Sequence, residues 1–322
     1  MNTADNHISR RNFLNSASLL TAGLVLSSRS IWAANSGLTE VSPVTAIIQA
    51  AAKSPVTVQK LRNSISLLEG SGGNICVLTG PEGKLLVDAG IDVSKQKITR
   101  VLASLSDKPL KHLINTHWHF DHASGNAWMH EAGAAIIAHT NTKKRLMQTL
   151  RVDDWSYTFK PAPAEALPTT VFEQKHSLQF NGESIHLTHY APAHTDSDLA
   201  VYFEQADILY VADTWWNGYY SFIDYSSGGQ LEGMLAAATA NLERVTDKTI
   251  IVPGHGPIGN KAQLRQYRDM LFDVKQKVQA LKQQGLSLPE AVARKPTQAY
   301  DAKWGNFVIN GDFFTNLVYR GV

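Results

Sequence analysis

The sequence predicts an α/β protein in which two β-sheets carry helices on their outer faces. Three observations lead there. Short apolar runs alternate with helix-period segments, a proline-rich stretch interrupts the pattern near the middle of the chain, and strand-type runs then resume. At 322 residues the chain is long enough for one large domain or two small ones. No repeat is regular enough to establish an internal duplication.

The N-terminus stands apart from this pattern. In "SRRNFLNSASLLTAGLVLSSRSIWAAN", Arg10 and Arg11 precede Phe13 and Leu14, and a modest apolar stretch follows from about Ala17 to Leu26. The stretch is too short and too rich in Ser, Thr and Gly for a membrane anchor, and it fits a cleaved export segment. "SRRNFL" resembles the twin-arginine signal of bacteria, which implies a periplasmic protein exported already folded. Residues 1–33 are therefore set apart from the fold, with a cut expected after Ala33, and residues 34–56 are read as a loose lead-in. Setting aside Arg10, Arg11, Arg29 and Asp5 leaves 27 basic and 27 acidic residues. A neutral chain of this kind has no electrostatic footprint for nucleic acid or anionic membrane. It also holds no run of about 18 apolar residues, so no stable membrane anchor is expected. The single cysteine, Cys76, cannot form an intramolecular disulfide and reads as a small buried hydrophobe.

Along residues 57–260, "VTVQKLRNSISLLEG", "GNICVLTG" and "GKLLVDAG" read as strands broken by glycine turns. "SKQKITRVLASLSD" places Ile98, Val101, Leu102 and Leu105 at helical spacing. "PLKHLINT" and "AAIIAHT" are strand-like, and "ASGNAWMHEAG" and "NTKKRLMQTL" helical. "KPAPAEALPTT" divides the chain at about 160–170. Strands return in "HSLQF", "ESIHLTHY", "LAVYFEQ" and "ILYVAD", followed by the helix "QLEGMLAAATANLERV" and the strand "KTIIVPGHG". Residues 261–322, a long polar-faced helix and an aromatic tail, read as a C-terminal extension packed on the same domain.

Chemistry concentrates at strand ends. "THWHFDH", residues 116–122, holds three histidines and an aspartate. In extended backbone His117 and His119 project to one side, and after a turn Asp121 and His122 face a second position. Zinc takes imidazole nitrogen and carboxylate oxygen, commonly with four ligands. The second half offers His194 in "APAHTDSD", Asp213 where "ILYVAD" emerges, and His255 in "IIVPGHGP", each on a loop of a rigid scaffold.

"HWHFDH", an isolated His, an Asp after an apolar strand and a "GHG" loop together resemble the metallo-β-lactamase-fold hydrolases over about residues 57–258. The resemblance implies a four-layer αβ/βα sandwich with a two-metal site between the sheets. His117, His119 and His194 would hold one ion, Asp121, His122 and His255 the other, and Asp213 would bridge them. It implies two zinc ions per chain, iron or manganese fitting the same donors, and a shared hydroxide attacking an ester, thioester, lactone or β-lactam. Asp121 would orient that nucleophile as well as bind metal. The lone cysteine precedes the motif and Asp213 takes the later ligand position. The likeness is therefore to the glyoxalase II and lactonase type rather than to lactamases with a cysteine ligand. No glutathione-contacting pattern stands out in residues 261–322. The ligand set also resembles that of the persulfide dioxygenases, which implies one iron and oxygen chemistry as an alternative. A non-catalytic exported metal-binding protein is the third reading.

His112, His130, His139, His176, His186 and His189 match no motif position and read as structural or solvent-facing. Trp118, Trp155, Tyr157, Phe159, Trp215, Trp216, Tyr219, Tyr220 and Phe222 flank the ligands in sequence. "TWWNGYYSF" directly follows Asp213 and is expected near the mouth of the site, favouring a small apolar or aromatic substrate. Oligomeric state is left open.

Overall fold

Side chains on a strand alternate between its two faces, and in this chain both faces of most strands are apolar, so both must be covered. The computed structural model describes residues 42–322; the export segment 1–33 and residues 34–41 of the lead-in lie outside the described residues. The first half comprises α1 (Pro43–Lys53), β1 (Thr57–Lys60), β2 (Ile65–Glu69), β3 (Ile75–Gly80), β4 (Gly83–Val87), α2 (Lys95–Leu105), β5 (Leu110–Asn115), α3 (Phe120–Ala123), α4 (Asn126–Glu131), β6 (Ala135–His139), α5 (Thr140–Leu146), β7 (Leu150–Val152), β8 (Tyr157–Phe159) and β9 (Thr170–Phe172). The second comprises β10 (Lys175–Phe180), β11 (Glu183–His189), β12 (Leu199–Phe203), β13 (Ile208–Trp216), α6 (Leu231–Arg244), β14 (Ile250–His255), α7 (Lys261–Gln283), α8 (Leu288–Ala293), α9 (Gln298–Trp304) and α10 (Gly311–Gly321).

These strands form a seven-stranded sheet, ordered β1-β2-β3-β4-β5-β6-β9, and a five-stranded sheet, β10-β11-β12-β13-β14. Both are mixed. β1 to β4 are antiparallel and β4, β5, β6 and β9 parallel. The second sheet is antiparallel except for β13 and β14. A separate ribbon pairs β7 with β8.

Alternation sorts the buried residues into three apolar layers. Leu85, Val87, Cys76 and Leu78 of the first sheet meet Ile208, Tyr210 and Val201 of the second. Their neighbours Leu86, Ile75 and Val77 turn the other way, onto Ile98 and Leu102 of α2 and Trp128 and Met129 of α4. On the far side Leu209 and Val211 pack against α6, α7 and α10 through Met234, Leu271 and Leu317. Three apolar interfaces separate four layers, and the fold is the helix–sheet–sheet–helix sandwich of the metallo-β-lactamase type. Burial pushes the Cys76 thiol up to about 12, leaving it inert.

Three local expectations need correction. The lead-in contains the helix α1, begun by a proline, whose fixed φ suits a first turn. Its last carbonyls are held by the Lys97 ammonium, 3.2 Å from the Ala52 oxygen and 2.6 Å from that of Ser54. "VTVQKLRNSISLLEG" is two strands, not one, because Asn63 takes a left-handed φ of 51° and reverses the chain. The proline-rich stretch does not close the first sheet: β9 follows it and pairs with β6.

The two sheets are also clasped where β6 and β11 end. His139, the last residue of β6, stacks face to face on His189, the last residue of β11, with ring centroids 3.7 Å apart. His189 Nε2 donates to the Asp196 carbonyl at 3.1 Å, and the Asn141 backbone N–H donates to His139 Nδ1 at 3.1 Å. Two imidazolium rings cannot share that stack. Burial and then the neighbouring ring push His139 down to about 4, and burial lowers His189 as well. An unfolded histidine titrates near 6.5, so the unfolded chain binds more protons below that pH. Stability contributed by the pair is complete above about pH 6.5 and is lost as pH falls toward 4. We expect about 1–2 kcal/mol of acid destabilisation from this pair, the linkage value being reduced because His189 is partly exposed to solvent. Denaturant melts of wild type and His189→Phe across this range should diverge by that amount.

Candidate metal centre

The parallel parts of the two sheets set the site. In parallel strands all carboxyl ends point the same way, and open α/β sheets gather functional groups there. β4 and β5 run parallel in the first sheet, and β13 and β14 in the second. Beyond the end of β5 the backbone stays extended, with His119 at ψ 150°, before the single turn of α3. That change of conformation separates His117 and His119 from Asp121 and His122. His194 comes from the loop between β11 and β12, and His255 ends β14. Asp213 does not sit at a strand end as expected: β13 continues to Trp216. The ladder slips at Ala212, which adopts φ 47°, and this bulge interrupts the alternation and delivers Asp213 to the cluster.

The structure brings all seven residues together, in two groups. Donor atoms of His117, His119, His194 and Asp213 lie within 4.8 Å of one another, as do those of Asp121, His122 and His255. Asp213 faces both. Its Oδ2 lies 3.4 Å from His194 Nε2, 4.0 Å from His117 Nε2 and 3.5 Å from His255 Nε2, while Oδ1 lies 3.1 Å from His122 Nε2. Asp121 Oδ2 lies 3.2 Å from His255 Nε2 and 3.6 Å from His122 Nε2. An ion held tetrahedrally at about 2.0–2.2 Å from each ligand spaces those ligands about 3.3–3.6 Å apart. Three of the six separations fall in that range and the other three lie within about 0.4 Å of it.

Hydrogen bonding fixes which nitrogen of each ring is bare. His194 Nδ1 donates to the Phe222 carbonyl at 2.7 Å, and His119 Nε2 donates to Asp224 Oδ2 at 3.0 Å. The remaining nitrogens, His194 Nε2 and His119 Nδ1, face each other at 2.8 Å. When both rings are neutral, two lone pairs oppose each other there, which suits a shared cation and no hydrogen bond. Thr116 Oγ1 donates to Asp88 Oδ2 at 2.8 Å, so it accepts from His117 Nδ1 at 3.1 Å. His122 Nδ1 donates to Asp88 Oδ2 at 2.8 Å. His117 Nε2 and His122 Nε2 are left buried with no hydrogen-bond partner among the described residues. Buried polar atoms without partners are costly, and here both belong to the same cluster. Acceptors placed behind ligating imidazoles, orienting them, are a general feature of metal sites.

Charge is uneven across the cluster. Burial, reinforced by the neighbouring His122, holds His117 far below the usual imidazole range, and burial pushes His194 down to about 4. Burial alone would do the same to His122 and His255, but the Asp213 and Asp121 carboxylates outweigh it. They raise His122 and bring His255 up to about 9. His117 and His194 are thus neutral at pH 7. His122 and His255 hold protons that an arriving cation displaces.

Sequence reasoning missed the residues behind the ligands. Asp88 ends "LLVD" in the same way that Asp213 follows "LYVA", a signal that was available; Thr116 and Asp224 carry none. Two glycines matter for want of a side chain. A Cβ on Gly73 would run into the His122 ring, and one on Gly254 into Asp213 Oδ1. Of the flanking aromatics, Trp155, Phe159, Trp216 and Phe222 line the cleft with Phe120 and Val152. Trp215 does not: it is fully buried against Tyr267 in the outer core. Tyr220 stacks on Phe314 at 4.3 Å, also in that core. The other histidines stay outside the cluster. His112 packs edge-on to Phe180 and His186 pairs with Glu204 at 3.1 Å. Gly254→Ala should weaken binding of the second equivalent of zinc by about 10-fold or more while the fold persists; titration calorimetry with circular dichroism checks both.

A profile of the metallo-beta-lactamase superfamily matches residues 68–255. Among solved structures, a metallo-beta-lactamase from Pontibacter korlensis superposes with TM-score 0.57 at 18% identity, covering 68% of this chain and 99% of the other. DIM-1 metallo-beta-lactamase gives 0.54 at 19%, over 67% and 97%. The sec-alkylsulfatase Pisa1 from Pseudomonas sp. gives 0.62 at 16% over 85% of this chain, which spans about half of that enzyme. At such identities the structures share a fold. Family and buried histidine–aspartate cluster together suggest a metal-dependent hydrolase. This chain belongs to the metallo-β-lactamase superfamily.

Proposed function

We propose that the protein is a dinuclear zinc hydrolase that cleaves an ester, thioester, lactone or β-lactam bond in the periplasm. The observation that carries this reading is the division of the seven ligands into two groups that share Asp213. A pair of zinc ions, when bound, supplies Lewis acidity and an ionised water nucleophile near neutral pH. His117, His119 and His194 would hold one ion and Asp121, His122 and His255 the other, with Asp213 between them.

The chain's own residues supply orientation. Asp121 is nearly buried yet lines the cleft, and His122 and His255 keep its carboxyl below the usual range despite the burial that opposes them. It therefore stays a hydrogen-bond acceptor at neutral pH, able to orient an attacking water from the cleft side. Asp88 and Asp224 hold His122 and His119 in the tautomers that present bare nitrogens. Trp155, Phe159, Trp216 and Phe222 shield the reacting bond from bulk water, strengthening each polar contact inside. Export in the folded state, as the segment 1–33 suggests, would let the metals be loaded before the protein leaves the cytoplasm.

The alternative is a single iron carrying out oxygen chemistry. Asp121, His122 and His255 form a second donor group for another ion, and the metal count per chain separates the two readings. With ester and lactone substrates, Asp121→Asn should lower kcat by about 10²-fold or more with less than about 1 kcal/mol lost in stability. Chelation should abolish turnover and zinc restore it. Unchanged turnover in Asp121→Asn with metal still bound, or oxygen uptake supported by one iron per chain, would contradict the proposal.

A further inference from the structure

Resting on that hydrolase reading, we infer that the substrate is uncharged around its scissile bond: the cleft is an aromatic sleeve that takes a neutral alkyl or aryl acyl group and rejects one bearing a distal anion. The cleft is open to solvent over the ligands, so its lining and not an enclosed volume decides what it accepts. Two elements wall it. From the β7–β8 ribbon come Val152, Trp155 and Phe159; from the segment after Asp213 come Trp216 and Phe222. The walls are braced against each other and against the ligand loop. Trp155 meets Phe222 edge-on at 5.1 Å, and Phe159 stacks on Phe120 at 5.7 Å and meets Trp118 at 5.3 Å.

No lysine or arginine lines this cleft among the described residues. The cations on and beside the ribbon are already paired. Arg151 reaches Asp153 at 3.1 Å, Arg320 reaches Asp154 at 2.7 Å, and Arg145 reaches Asp196 at 2.6 Å. Lys160, next to Phe159, is exposed and does not line the cleft. The charge of the site does not draw anions either. Two divalent cations would bring four positive charges, and Asp121, Asp213, Asp88 and Asp224 set four carboxylates in and directly behind the ligand shell. A substrate carboxylate or sulfate away from the reacting bond would lose its water to rings that cannot replace it. A neutral acyl group gains by the same burial. This sleeve narrows the bond classes to esters, thioesters and lactones, and away from carboxylate-bearing β-lactams and alkyl sulfates.

The test compares two 4-nitrophenyl esters of equal acyl length, one ending in a methyl group and one in a carboxylate, on the zinc-loaded protein. The neutral ester should be favoured about 100-fold in kcat/KM. Phe159→Lys should cut that preference about 10-fold, and Phe159→Leu should leave it near wild type. Equal or reversed preference in the wild type overturns the inference. If neither ester is turned over, the hydrolase reading fails on its own, and binding still decides the sleeve. The matching 4-nitroanilides then titrate the tryptophan fluorescence of loaded and metal-free protein. Neutral anilide binding at least 10-fold tighter supports the inference, and equal binding overturns it.

Discussion

Asp88 accepts four contacts with one buried carboxylate, and the geometry of the site depends on it. Its Oδ1 takes the Thr116 backbone N–H at 2.8 Å; its Oδ2 takes the Thr116 hydroxyl and His122 Nδ1 at 2.8 Å, with the Tyr210 hydroxyl at 3.1 Å. Those partners lie beyond β5, on the turn of α3 and on β13, so a single side chain ties the ligand loop to both sheets. The residue is held in a left-handed conformation, φ 65°, that an aspartate tolerates better than most side chains. A charged group with no solvent exposure is stable only when its acceptor sites are filled. Here filling them fixes the tautomers of His117 and His122.

The same economy operates at His119 and His194, whose outward nitrogens are committed to Asp224 and to the Phe222 carbonyl. Asp224 also accepts from the Ser226 N–H at 2.9 Å and the Ser227 hydroxyl at 2.5 Å. The segment that follows β13 thus has two duties: it orients ligands with its polar atoms and walls the cleft with its rings. Preorganised ligands lose little freedom when a cation arrives, which is how a rigid scaffold turns weak individual contacts into a tight site.

The layers were legible because their causes are local. Alternating apolar residues on both faces of β3, β4 and β13 demand covering on both sides, and helical spacing in α2 and α7 supplies the cover. The ligands were legible because histidine and aspartate at strand ends are expensive unless used. What was not legible depends on packing between distant segments. Trp215 and Trp216 are adjacent in sequence, yet the first lies fully in the outer core and only the second lines the cleft. The bulge at Ala212 that shifts the register within β13 leaves no mark in the residue types. Asp224 could not be singled out because its partner His119 is brought to it only by the packing of the two sheets. Gly73 and Gly254 act through the absence of a side chain, which a sequence shows but cannot explain until the neighbour is known.

The central claim is that seven side chains, with imidazole nitrogens already set by their hydrogen bonds, hold two ions on either side of Asp213. Anomalous diffraction at the zinc edge, from crystals of the zinc-loaded protein, tests this most directly. Two peaks are expected, one among His117, His119 and His194 and one among Asp121, His122 and His255, each within bonding distance of Asp213. A single peak, or an ion bound by other residues, would contradict it.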